Sequence, residues 1–229
     1  MAIQGIAQDY ITLFGAVPLL LFSLYKAQGG ALKWRLLLAG TTGYILVTYV
    51  FYLVMAMYNS FFLVYTFLAG CSFYLFLQLV SELDAEKPQL FYTKSTPVKG
   101  AGAFLIFNAI SIALLWLGVV VPPLLDGSAI PVQVEHYTTL IVQGFDLSIL
   151  LPASFLTGTW LLQKRPAGYL WAPIYFVFLS ILMTALTAKI IAMALHGYNV
   201  VPVIFIIPAI NLVSIIFTVL LLKNVKSHA

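Results

Sequence analysis

Asp146 and Lys189 are the two ionisable residues that stand deep inside long apolar runs of this 229-residue chain. A charge at the centre of a membrane helix costs roughly 2.5–3.5 kcal/mol on insertion scales, so such a residue takes a partner and often carries protons, ions or a ligand. Asp146 lies seven residues past Thr139, and Lys189 lies seven residues before His196. At about 1.5 Å per residue, both sit roughly 10 Å below the same boundary. Side chains lean toward the N-terminus of their own helix. Consecutive runs are antiparallel, so these two heads lean toward each other and a direct ion pair is expected. The competing structural role is docking, because polar residues also fix how membrane helices meet.

Other polar residues recur at helical spacing. Thr157 shares a stripe with Asp146, and Gln143 lies at its margin. Tyr74 and Gln78 in one run, and Asn211 in another, belong to stripes spaced by three and four residues. Tyr74, Gln78, Gln143, Thr157 and Asn211 are therefore the expected lining of a hydrated pathway beside Asp146 and Lys189. Glu135, His136 and His196 flank the runs on one side and are of the types that bind zinc or sense low pH. Their spacing matches no compact metal motif, so solvated loop residues are the competing reading.

The elements that must hold these residues follow from composition. The chain is 62% hydrophobic and 8% charged, with a mean hydropathy of +1.05. Soluble proteins carry about 25% charged residues, which excludes a soluble domain. A helical span needs about 20 apolar residues. Seven runs approach this: 10–25, 34–57, 60–83, 100–125, 138–162, 168–195 and 200–222, and the first, the shortest, is expected to begin a few residues earlier. The expected fold is all-α, a polytopic membrane protein of seven transmembrane helices in one domain covering 1–229. The first run is preceded by an acid and no base, so it is expected to be retained rather than cleaved.

Ten of the 11 basic residues fall on one side of the alternating runs, in the segments around Lys26–Arg35, Lys87–Lys99, Lys164-Arg165 and Lys223–Lys226. The opposite side carries Asp9, Asp126, Glu135 and two histidines. The positive-inside rule then places the N-terminus outside and the C-terminus in the cytoplasm, in a bacterial inner membrane. The positive charge is dispersed over short loops, so no nucleic acid is expected.

A shift of 140 residues superposes Tyr58-Asn59 on Tyr198-Asn199, and Cys71, Tyr74 and Gln78 on Asn211, Ser214 and Thr218. Pro18 and Pro152 correspond at a shift of 134. These matches point to a 3+1+3 parallel pseudo-repeat, with repeats 10–83 and 138–222 and a linker helix 100–125. Carriers of that plan bind substrate near the midplane, between the repeats.

No phosphate-binding glycine loop, nucleophile elbow or zincin motif is present, no enzyme activity is expected, and no cofactor is implied. Lys189 with Asp146 is similar to a retinal Schiff base and its counterion. Microbial rhodopsins carry that lysine on the seventh helix, which has none here.

Phe145-Asp146-Leu147-Ser148, then Pro152, Gly158, Leu161-Leu162 and Lys164-Arg165-Pro166-Ala167-Gly168-Tyr169, resembles a stretch of bacterial seven-helix membrane proteins of unknown function. The resemblance covers helices 4 to 6 and implies the seven-helix fold but no activity. It also implies a helix-6 lysine nearer the cytoplasmic end than Lys189. The general layout is similar to the semi-SWEET and PQ-loop class, without its Pro-Gln signature. The leading functional expectation is a small-solute or proton-coupled carrier. The alternative is a ligand-binding receptor or an accessory subunit. The expected partners are the lipid bilayer, a small polar solute or ion, and a second copy or another subunit.

Overall fold

The computed structural model describes residues 2–55, 58–128 and 139–226. Among them are seven helices long and apolar enough to cross a membrane: α1 (Ile3–Ala27), α2 (Leu32–Met55), α3 (Phe62–Ala85), α4 (Val98–Asp126), α5 (Ile141–Leu162), α6 (Pro166–Leu195) and α7 (Val203–Lys223). No strand occurs among the described residues. Lipid offers no hydrogen bonds, so each run closes its own backbone ladder as a helix. The chain is an integral, multi-pass membrane protein. Large apolar side chains such as Phe14, Tyr74, Phe107, Leu125 and Phe205 are more than two-thirds exposed, as lipid-facing residues should be.

The helices agree with the seven expected runs, with one consequential difference. The first begins at Ile3 rather than Tyr10, which carries Asp9 inside the span. The start expected for the fifth run, Thr138, lies outside the described residues.

Two helices form the centre. α2 and α6 are about half buried and pack against each other, contributing Leu36, Tyr44, Phe176 and Val177 to the core. α1 and α3 pack on α2, while α1, α5 and α7 pack on α6; α4 lies on α5. Small residues permit the closest crossings. A Cβ added at Gly40 would lie 2.5 Å from the Val177 Cβ and 2.7 Å from the Ile174 carbonyl. On the α4–α5 face, a Cβ at Gly158 would meet the Gly102 carbonyl at 2.7 Å. Without a hydrophobic driving force between helices in lipid, such close backbone approach supplies the packing energy.

α1 and α5 each contain one wide, π-helical turn, at Thr12–Ala16 and Asp146–Leu150. The Val17 N–H bonds to the Thr12 carbonyl, and the Leu151 N–H bonds to the Asp146 carbonyl, five residues back in each case. Pro18 and Pro152 follow at once. Such turns break a helix's register and recur at functional sites.

The lysine-rich segments come together at one end of the bundle. Thr93 donates its N–H to the Asn224 carbonyl, and Lys226 donates to Phe91. The Tyr92 and Tyr169 rings meet at 5.3 Å. Half-buried Arg35 of α2 forms ion pairs with Glu82 of α3 and with Glu86, which caps the end of that helix. Arg35→Ala leaves both carboxylates unmatched and should cost about 1–3 kcal/mol of stability. A thermal midpoint in detergent reads that loss, and Arg35→Lys should recover only part of it, because an ammonium cannot fork between two carboxylates.

Candidate functional site

Asp146 opens the wide turn of α5 and is partly buried. Its Oδ2 accepts a hydrogen bond of 2.8 Å from the Trp116 indole N–H on α4. The ion pair expected with Lys189 is not formed. The reason lies in the wide turn and Pro152, which end the regular 3.6-residue register at Leu151. The N-terminal part of α5 packs on α2 and α4, whereas α6 packs mainly on the regular part, Leu151–Leu162, and meets the wide turn through Tyr175. Asp146 therefore turns to α4 rather than to α6.

Lys189 lies on α6, on which α1 packs. Gln4 of α1 reaches Met193 of α6, with Nε2 3.3 Å from the sulfur. The carboxylate that acts electrostatically on Lys189 is Asp9. Asp9 in turn accepts a hydrogen bond from the Tyr52 hydroxyl of α2. Beside it, Gln8 donates to Thr48 at 3.2 Å, and the Thr12 and Tyr44 hydroxyls meet at 2.9 Å. Gln8, Thr12, Tyr44 and Thr48 are all buried. The intramembrane charges thus form two separate polar clusters, one between α1, α2 and α6 and one between α4 and α5.

A tyrosine from a central helix faces each wide turn. Tyr44 of α2 meets Thr12, and Tyr175 of α6 donates to the Leu150 carbonyl at 2.8 Å. Tyr175 thereby ties the end of the α5 wide turn to central helix α6. Below Trp116 on the same face of α4 lies Asn108, eight residues earlier and 3% exposed. Its Oδ1 has no hydrogen-bond partner among the described residues. In an apolar interior such an acceptor calls for a donor, which water or a ligand can supply.

The other residues expected at the site are dispersed. Gln143 is buried about one turn before Asp146 along α5, and Thr157 is buried further along the same helix. Tyr74 is 73% exposed on α3, and Gln78 is exposed and donates to Glu82. α3 packs chiefly on α2, so neither reaches Asp146. Asn211 donates to Thr184 at 3.2 Å, and the Ser180 and Thr218 hydroxyls lie 2.9 Å apart. Those four residues form a polar seam that joins α6 to α7.

Among the expected outer residues, His196 is exposed, and its Nδ1 donates to the Ala192 carbonyl at 2.7 Å. Glu135 and His136 lie outside the described residues. No group of three His, Cys, Asp or Glu side chains is placed to hold a metal among the described residues.

No protein-family model, no curated protein and no solved structure matches this chain.

Sequence reasoning missed Trp116, Asp9 and Asn108. Trp116 had a readable signal: of the four tryptophans, the other three lie near the lysine-rich end. A tryptophan deep in an apolar run needs a partner for its N–H. Asp9 was hidden by starting the first run too late. Asn108 is a lone amide whose lack of a partner only packing reveals.

Proposed function

We propose that this protein is a carrier of a small polar solute or of protons, with Asp146 as its proton-exchanging group and Lys189 as the second intramembrane charge. The observation that carries this reading is the recurrence of one device in both halves of the chain. The wide turn of α5 begins 134 residues after that of α1, and Pro152 follows Pro18 at the same interval. Each turn faces a tyrosine of a central helix. Asn59 and Asn199 also make the same local bond, each accepting the N–H two residues ahead, at 2.8 and 3.1 Å. These matches support two parallel triplets, α1–α3 and α5–α7, with α4 inverting the chain between them. Irregular turns opposite each other at membrane depth are how carriers of this plan build sites and hinges.

Asp146 occupies the position in α5 that Thr12 holds in α1. A carboxylate held by an indole N–H, with no cation within ion-pair distance among the described residues, is suited to take up and release a proton as a hinge moves. The orphaned Asn108 acceptor supports a hydrated route beneath it. The collection of basic loops at one end supports an orientation with that end in the bacterial cytoplasm and the N-terminus outside.

Side-specific labelling tests the reading. In a Cys71→Ser background, single cysteines at Gln143 and Ala153 bracket Asp146 on α5. A carrier should expose them to impermeant thiol reagents from opposite sides, with a balance that changes between acidic and alkaline buffer. Reactivity from one side only, unchanged by pH, would sink the alternating mechanism. A second reading, an accessory subunit, is favoured by α3 and α7, which pack chiefly on one neighbour each and leave broad apolar faces. It predicts no flux in liposomes and a partner retained through gentle extraction.

A further inference from the structure

A cavity of about 640 Å³ opens at the lysine-rich end, between the segment leading into α4 and the turn joining α5 to α6. That size lies in the range of small-molecule sites. Lys94, Lys99 and Lys164 line it, and no acidic residue does among the described residues. Val98, Lys99 and Gly100, the first turn of the 29-residue α4, form part of its wall. Pro97 begins that helix without a side-chain cap. The Val98 N–H bonds to Thr96 and that of Ala101 to Pro97, whereas those of Lys99 and Gly100 have no acceptor among the described residues. Free N–H groups and the helix dipole at such an end attract anions.

Tyr92 is an independent pointer to a ligand. It lines the same cavity, is only 9% exposed, and its hydroxyl has no hydrogen-bond partner among the described residues. Burial pushes its phenol well above the usual range, so it remains a neutral donor. A buried hydroxyl without a partner costs free energy that a bound acceptor returns. Lys164 holds the left-handed φ of +55°, which places a lysine where glycine would be easier.

We propose that this cavity binds a phosphoryl group, held by Lys94, Lys99, Lys164, the Tyr92 hydroxyl and the open first turn of α4. A phospholipid headgroup and a free phosphorylated solute offer the same chemistry. The site is separate from Asp146 and independent of the carrier reading.

The test uses the full chain. In detergent, inorganic phosphate should raise the thermal midpoint more than chloride does at matched ionic strength. In nanodiscs, native mass spectrometry should show phosphatidylglycerol retained over phosphatidylcholine. Tyr92→Phe removes a hydroxyl that bonds to nothing among the described residues, so it should fold normally while weakening phosphate binding roughly 10-fold or more. Lys164→Gly relieves the backbone and deletes a charge, so the unliganded protein should be at least as stable while the phosphate response falls several-fold. A response to phosphate alone identifies a soluble ligand, and lipid retention alone identifies a headgroup; both support the site. Equal shifts with chloride and no lipid preference would overturn it. Responses that survive both substitutions would overturn it as well.

Discussion

Asp146→Asn should abolish pH-gradient-driven current or uptake in proteoliposomes while leaving the fold nearly untouched. Asparagine has nearly the same shape, and its carbonyl oxygen can accept the Trp116 N–H now held at 2.8 Å. The exchange of a charged for a neutral acceptor changes stability by about 1 kcal/mol. What it removes is the ability to gain and lose a proton. Asp146→Leu makes the contrast. It also cannot carry a proton, but it strands the indole N–H in an apolar setting and should cost about 1–3 kcal/mol. Thermal midpoints separate the two variants, and flux unites them. Wild-type flux in Asp146→Asn liposomes would refute the role assigned to the carboxylate.

Gly40→Leu should have the largest effect on the fold. The added side chain would enter where a Cβ alone lies 2.5 Å from Val177 and 2.7 Å from the Ile174 carbonyl. Part of that obstacle is α6 backbone, which cannot rotate away as a side-chain tip can. Because α2 and α6 form the centre, prying them apart disturbs every helix that packs on them. A cost above about 3 kcal/mol is expected, read as loss of monodisperse protein after extraction. Gly70→Ala on α3 is the control. Nothing lies within 4 Å of a Cβ at that position, so alanine should be neutral or stabilise by up to about 1 kcal/mol through helix propensity. If both substitutions behave alike, the close α2–α6 crossing does not hold the bundle together.

The contrast between Asp146 and Arg35 shows how an interrupted helix changes the choice of partner. Both are ionisable residues that the chain must accommodate with partners. Arg35 lies in uninterrupted helix and finds Glu82 on α3, the helix that follows along the chain, and Glu86 at its cap. Asp146 lies in a wide turn, where the assumption of 3.6 residues per turn fails. The direction expected for its side chain therefore fails, and Trp116 of α4 is the partner in place of Lys189. Asp9 shows a related failure. Its fate depended on where α1 begins, and helix starts are the least legible part of an apolar run.

By itself, the sequence determined the class, the number of spans and the charge asymmetry of the two ends. Each follows from local quantities: apolar length against bilayer thickness, and the loop in which each lysine lies. Only the tertiary structure decided which polar groups meet. Partner choice depends on helix rotation, on the wide turns at Thr12–Ala16 and Asp146–Leu150, and on the glycines that set how near two backbones come. The same holds at the lysine-rich end, where Lys94, Lys99 and Lys164 come from separate positions along the chain and share one cavity. Periodicity gives a residue its depth in the membrane, whereas packing gives it a neighbour.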